Sequence, residues 1–373
     1  KSGGGISREE LVKAMKEKGF SLRGQPINAD AREVIAEAAH QATMDIKDQI
    51  GGARLTRSYW IAKIQAALDT SRFVEIQGDA GVGKSALLKH FARQQMEQGP
   101  AIVLTPERTL PNGWLSMRAA IGFVGTAKDL LSELCLGGEA LLFIDNLDRF
   151  NPETQKTVID LMREAANLPD IKIIATSRSK RGYDEQRWLS GDDLKPFKPA
   201  APINVETLAD DEVSELIKAS PRLGQILAPE HPAKAISRNL YHLSRLVSSD
   251  ATEQTPASEI DMMRNWWAAG DGGDSASRRD RRRLLKKMAS EAVRSNGLFD
   301  ASDSPPQAVD ELVARHAITE FSSDQVGFSH DVLREWAIAS VFLESPDLID
   351  SLDLDLPASA IHGRSIELLA AAK

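Results

Sequence analysis

The feature that most constrains this chain is the run Gly78-Asp79-Ala80-Gly81-Val82-Gly83-Lys84-Ser85, which fits the pattern G-x-x-x-x-G-K-S. Apolar Phe73–Ile76 precedes it and a helical pattern, Ser85–Gln98, follows. A glycine-rich turn between a buried strand and a helix lets backbone N–H groups approach an anion with no side chain in the way. The positive end of the helix aims at the same point. Gly78, Gly81, Val82, Gly83, Lys84, Ser85 and Ala86 are therefore candidate phosphate-binding residues. Lys84 would reach the β- and γ-phosphates of ATP or ADP, and Ser85 would ligate Mg²⁺.

The apolar runs Phe73–Ile76, Ala101–Thr105, Ala140–Asp145, Ile171–Thr176 and Ile203–Val205 alternate with helical patterns at Ser85–Gln98, at Leu110–Leu136 in pieces, and at Pro152–Leu168. That alternation predicts βαβ units and a parallel five-stranded sheet, the α/β fold of an ASCE-type P-loop NTPase. Asn151 and Pro152 open the last of these helices as N-cap and first-turn proline. Asp145 ends a buried strand, where open α/β sheets bind ligands, and is placed to hold Mg²⁺ opposite Ser85. Sixty residues separate Ser85 from Asp145, room for Ala101–Thr105 to insert between the two motif strands. Such insertion would put a later strand, Ile171–Thr176, beside the phosphate loop. That strand runs into Ser177-Arg178, and Arg178 reads either as a γ-phosphate contact or as a solvated surface arginine. Efficient hydrolysis needs an acid directly after the Mg²⁺ aspartate to orient water. Asn146 stands there and Asp148 is the nearest acid, so slow ATP turnover is expected. Lys84, Asp145, Asp148 and Arg178 form the candidate catalytic set.

After Thr207 the strands stop. Asp211–Ala219 and Ala233–Ser248 read as helices, and Ser277 with Asp280 forms a capping-box pattern opening another to about Arg294. Helix Gln307–Arg315, a hairpin around Ser322-Ser323-Asp324 and helix Asp331–Leu343 follow, the order of a winged helix. The domain reading is an N-terminal helical segment (1–52), a nucleotide-binding domain (53–205), a helical domain (206–270), a winged-helix domain (271–345) and the start of a C-terminal helical region (346–373). Leu11, Val12 and Met15 extend the helical pattern into the first segment. The opening Lys1-Ser2-Gly3-Gly4-Gly5, without Met, suggests a piece of a longer chain.

Composition narrows the function classes. Lys+Arg 46 against Asp+Glu 54 gives a net charge of −8, which argues against a general polyanion binder while leaving local basic patches open. Arg278, Arg279, Arg281, Arg282, Arg283, Lys286 and Lys287 make such a patch, readable as a nucleic-acid contact or as a solvated helix face. The single cysteine, Cys135, excludes an intramolecular disulfide and fits a cytoplasmic setting. No apolar run approaches the ~20 residues that span a bilayer, so no membrane partner is expected.

Several of these motifs resemble the signal-transduction ATPases with numerous domains, including the NB-ARC and NACHT groups of immune receptors, over about residues 50–345. Ile171–Arg178 is similar to the family strand ending in Thr-Thr-Arg, whose arginine senses the γ-phosphate. Phe143-Ile144-Asp145-Asn146-Leu147-Asp148 is similar to the NACHT form Asp-Gly-Leu-Asp-Glu, with Arg149 replacing the last Glu. Ser329-His330-Asp331 looks like the Met-His-Asp motif, whose histidine reaches the ADP β-phosphate; His330 inherits that role by position, its plain alternative being a hydrogen-bonded histidine at a helix start. Arg57, in Leu55-Thr56-Arg57, resembles the residue that opens the nucleotide domain near the base. Leu240 stands where the family usually has a proline against adenine. The resemblance implies an ADP-held inactive state, self-association on ATP exchange, an upstream effector, a downstream sensor, an unknown protein trigger and an antiviral role. Two other readings remain: a DNA-binding ATPase or transcription regulator using the winged helix, and a ring-forming remodelling ATPase.

Overall fold

The structure is a computed structural model that describes residues 28–178, 188–189, 191–248, 255–272, 277–294, 298–322, 324–350, 352 and 362–373. The helical reading of Leu11–Met15, the glycine-rich opening and the hairpin-tip Ser323 lie outside the described residues.

Helix α1 (Ala29–Asp45) and helix α2 (Ser58–Leu68) lead into strand β1 (Phe73–Gln77). Helix α3 (Lys84–Gln98), β2 (Ile102–Leu104), α4 (Trp114–Ile121), α5 (Ala127–Leu134), β3 (Ala140–Ile144), α6 (Pro152–Ala166), β4 (Ile171–Ser177) and β5 (Ala200–Asn204) follow, apart from short turns. The five strands form one parallel sheet in the order β2-β3-β4-β1-β5. This is a P-loop α/β fold. β1, fully buried, and the near-continuously apolar β3 and β4 match a sheet covered on both faces. One apolar layer gathers Phe73, Leu130, Leu161 and Ile173, and the other gathers Ile64, Leu88, Phe91 and Ile174. α6 starts where expected, the Asn151 side chain accepting from the N–H groups of Glu153 (3.1 Å) and Thr154 (2.9 Å).

Strand order corrects one expectation. β4, not the Ala101–Thr105 strand, separates β1 from β3; β2 lies at the edge beyond β3. The later strand does sit beside the phosphate loop, with Ser177 in register with Gln77.

The C-terminal half holds α7 (Asp210–Ala219), α8 (Pro221–Ile226), α9 (Leu240–Ser248), α10 (Glu259–Ala269), α11 (Arg278–Ala292), β6 (Phe299–Asp300), α12 (Pro306–Ala314), β7 (Ile318–Ser322), β8 (Gln325–Phe328), α13 (Asp331–Glu344) and α14 (Gly363–Ala372). β6, β8 and β7 form a small antiparallel sheet. One continuous core joins Leu243 and Met263 to Leu285, Leu312 and Trp336. The predicted helix Ala233–Ser248 is broken: a short 3₁₀ turn ends at Ala235 and α9 begins at Leu240. Ser277 makes no cap, because its hydroxyl donates to Glu311 and accepts from Arg281 Nη1 instead. Among the described residues no helix is long and apolar enough to cross a membrane.

Candidate nucleotide site

β1 delivers the chain to Gly78, and the backbone turns through Gly81 and Gly83 into α3. Both glycines lie in the left-handed region, φ 81° and 90°, which residues with a Cβ rarely enter. Close approach adds a second demand. A Cβ on Gly81 would stand 2.4 Å from Asn239 Oδ1, and one on Gly83 would stand 2.7 Å from Leu240 Cδ1. The start of α9 is thus pressed onto the loop, and Leu240 and Tyr241 line the same cavity as Gly81 and Gly83. Asn239 caps α9 through Oδ1, which accepts from the Tyr241 N–H at 3.0 Å, while its Nδ2 donates to Ala80 O at 2.9 Å. The Tyr241 N–H also donates to Gly81 O. Arg57 braces the loop from the other side: Nη1 donates to Val82 O at 2.6 Å and Nε sits 2.9 Å from Glu212 of α7.

Lys84 is buried, and its Nζ donates to Asp79 O at 2.9 Å. Burial lowers its pKa; Asp148, Asp331 and Asp145 act against that. At the end of β3, Asp145 accepts from the Thr176 hydroxyl at 2.5 Å and is hydrogen-bonded by the Ser85 side chain. Burial pushes the Asp145 carboxyl up to about 6. A buried carboxylate touching a hydroxyl at the loop's end fits Mg²⁺, a hard cation that takes few protein oxygens and completes its shell with phosphates and water. Among the described residues no cluster of three His, Cys, Asp or Glu exists that could hold a metal without the nucleotide.

The ends of β3 and β4 meet the first turn of α13 through charge. Arg149 Nη1 lies 3.0 Å from Glu107 and 2.6 Å from Asp331. Arg178 lies 3.3 Å from Asp148, 2.5 Å from Glu335 and 3.7 Å from Asp331. Asp331 is held below the usual carboxylate range by Arg149 and Arg178 despite its burial. Glu335, only 1% exposed, is pushed up to about 7 because burial outweighs Arg178.

His330 caps α13. Its Nδ1 accepts from the Val332 N–H at 3.1 Å, which places the ring proton of the neutral form on Nε2. The ring stacks on Tyr241 with centroids 3.9 Å apart and planes 20° apart. Burial, then Lys84 and Arg149, depress its pKa to about 3.

A cavity of about 710 Å³ connects these pieces. Its wall includes Arg57, Gly81, Gly83, Lys84, Ser85, Ala86, Asp145 and His330, candidates drawn from four separated stretches of sequence. Other candidates stand back from it. Gly78 packs against the Val205 carbonyl, and the Val82 side chain is buried in the core under the sheet. Asp148 and Arg178 hold each other behind Arg149 and Asp331, and the acids on the wall that act on Asp145 are Glu107 and Asp331. Sequence reasoning missed Glu107, Asn239, Tyr241 and Glu335, and named Asp331 only within the Met-His-Asp resemblance without assigning it a contact. Only Asn239 carried a local signal, as an N-cap residue before an apolar helical run.

No protein-family model matches this sequence, and no curated protein matches it. Solved structures to which it is similar include the Walker-type ATPase PABY2304 of Pyrococcus abyssi, at 15% identity and TM-score 0.36, covering 78% of this chain and 97% of that one. Cdc6p from Pyrobaculum aerophilum aligns at 13% identity and TM-score 0.37, covering 81% and 98%. RuvB from Thermotoga maritima aligns at 14% identity and TM-score 0.30, covering 73% and 92%. Likeness at this level adds nothing to the strand order and loop geometry, on which the P-loop assignment rests.

Proposed function

We propose that this chain is the nucleotide-operated core of a signalling switch of the STAND class, holding ADP in a closed form and opening on exchange for ATP. The observation that carries this reading is the sharing of one cavity by Lys84 and Ser85 of the phosphate loop and by His330 of α13. A diphosphate in that cavity would touch both halves, so the ligand itself would bind them together. The Nε2–H of His330 supplies a neutral donor, and bound phosphate would favour protonating the ring. Residues 206–270 act as the helical domain and 271–345 as a winged helix used as a latch. Self-association, effector and sensor partners, a protein trigger and antiviral defence follow from the resemblance alone.

Hydrolysis is expected to be slow, because Asn146 follows Asp145 and Asp148 is engaged by Arg178. Mg²⁺ would be held by Ser85 and Asp145 and would supply charge neutralisation of the phosphates. A DNA-binding reading draws on α11, where Arg278, Arg279, Arg283 and Lys287 are exposed. Much of that run has other work: Arg281 is buried against Glu311, and Arg282 and Lys286 face Glu344.

The test is the dissociation rate of a fluorescent ADP from the purified chain. Losing one charge-assisted hydrogen bond, about 1.5–3 kcal/mol, should speed release by about 10- to 150-fold in His330→Ala, whereas Lys84→Ala should bind no ADP tightly. An unchanged release rate in His330→Ala overturns the latch.

A further inference from the structure

Arg178 begins immediately after Ser177, which is in register with Gln77, the last residue before the phosphate loop. Its backbone therefore stands beside the loop, on the carboxyl-terminal edge of the sheet, just behind the cavity wall formed by Arg149 and Asp331, and its charge still acts on Lys84. The guanidinium, however, faces α13, 2.5 Å from Glu335 Oε1. Among the described residues Arg178 faces Asp148, Asp331 and Glu335, and the last two belong to the C-terminal half. Water offers no substitute for the Glu335 contact, since that side chain is 1% exposed.

We infer that Glu335 is a specificity-determining residue that makes the closed form favour a nucleoside diphosphate over a triphosphate. This rests on the reading that the cavity holds nucleoside phosphates. The physical ground is competition for one cation. A third phosphate adds negative charge on the side of the site where Asp331 and Glu335 already place two carboxyl groups. It gains Arg178 only if Glu335 gives it up, and Glu335 cannot withdraw alone because it is fixed in a buried helix. A diphosphate ends short of this contest and leaves the Arg178–Glu335 pair intact. Buried charge pairs lose most when one partner is left without the other, so the closed form penalises the longer ligand specifically.

Calorimetric titration of the full chain with ADP and with a non-hydrolysable triphosphate, β,γ-imido-ATP, both with Mg²⁺, tests this. Wild type should prefer ADP. Glu335→Gln keeps the shape and removes the charge, and should raise triphosphate affinity relative to ADP about tenfold while ADP binding itself changes little. Adding Arg178→Gln to Glu335→Gln should remove that gain, because the freed guanidinium is what the third phosphate acquires. A merely structural role for Glu335 would weaken both ligands alike and leave their ratio unmoved, which overturns the inference. Should Glu335→Gln not fold, Glu335→Asp retains the charge with a shorter reach and should shift the ratio in the same direction by a smaller factor; no shift overturns it equally. If wild type binds neither nucleotide, the underlying reading fails first, and that outcome is distinct from binding with an unaltered ratio.

Discussion

Two seams join the sheet's carboxyl-terminal edge to the C-terminal half, and different forces build them. The first lies between the phosphate loop and the start of α9, where Asn239 and Tyr241 hydrogen-bond the carbonyls of Ala80 and Gly81 at close range. The second lies between the ends of β3 and β4 and the first turns of α13, where Arg149 and Arg178 face Asp331 and Glu335. Neutral hydrogen bonds to fixed backbone carbonyls respond little to a charge arriving nearby. Buried ion pairs respond strongly, because each is favourable only while its partner stays. The first seam is suited to holding the loop's shape, and the second is suited to being rewritten by an anion.

This contrast is sharpest at Arg149. Replacing it with Gln leaves Glu107 and Asp331 without their shared cation, and we expect a loss of about 3–5 kcal/mol in denaturant unfolding; a loss under about 1 kcal/mol would show a second seam already screened by solvent. Gly81→Ala should cost less, about 1–3 kcal/mol, through its φ of 81° and the Asn239 contact. Combined with Asn239→Ala it should fall short of additive, since both changes disturb one contact; strict additivity would separate the loop from α9.

Within the window from pH 7 to 5, the smallest effect is one of pH. Burial holds His330 neutral with a pKa of about 3 against an ordinary 6.5. Below pH 6.5 the unfolded chain takes up a proton that the folded chain refuses, so this stability is lost as the pH falls toward 3, at most about 1.4 kcal/mol per pH unit. Glu335 and Asp145, raised to about 7 and about 6, have the opposite sign: their contribution is present at low pH and lost as the pH rises through those values. Melting curves between pH 7 and 5 isolate the imidazole if wild type is compared with His330→Asn. Parallel curves would mean that the ring is not shielded in the nucleotide-free chain.

How much could be read beforehand follows from how local each signal is. Loop, strands and Asp145 are legible because glycine conformation, strand burial and the lysine–serine pair are written in adjacent residues. Position of β4 beside the loop was also foreseeable, but which strand occupied the edge was not, as apolar runs of equal strength do not state their order. Ser277 and the Ala233–Ser248 helix misled for one reason: each offers a plausible local partner and is claimed by a distant one, Glu311 for the serine and the Ala80 carbonyl for Asn239. Glu335 reads as an ordinary charge on a helix, and Asp331 stands out only as the last residue of the Met-His-Asp resemblance, with no contact assigned to it. Their partners at Arg149 and Arg178 are far away in the chain, and nothing in the spacing links them.

Helix α13 carries one more consequence. Every residue from Val332 to Phe342 is buried, so this helix has no free side about which to roll or slide. It behaves as a spindle inside a jacket: Trp336 Nε1 is tied to Glu259 of α10 at 3.0 Å, Arg334 to the Ala292 carbonyl of α11 at 3.1 Å, and the Trp267 indole of α10 to Glu344 at 2.7 Å. A shift imposed at Asp331 would have to be carried along the shaft, about 21 Å for fourteen residues, and would press on α10 and α11 through these three ties.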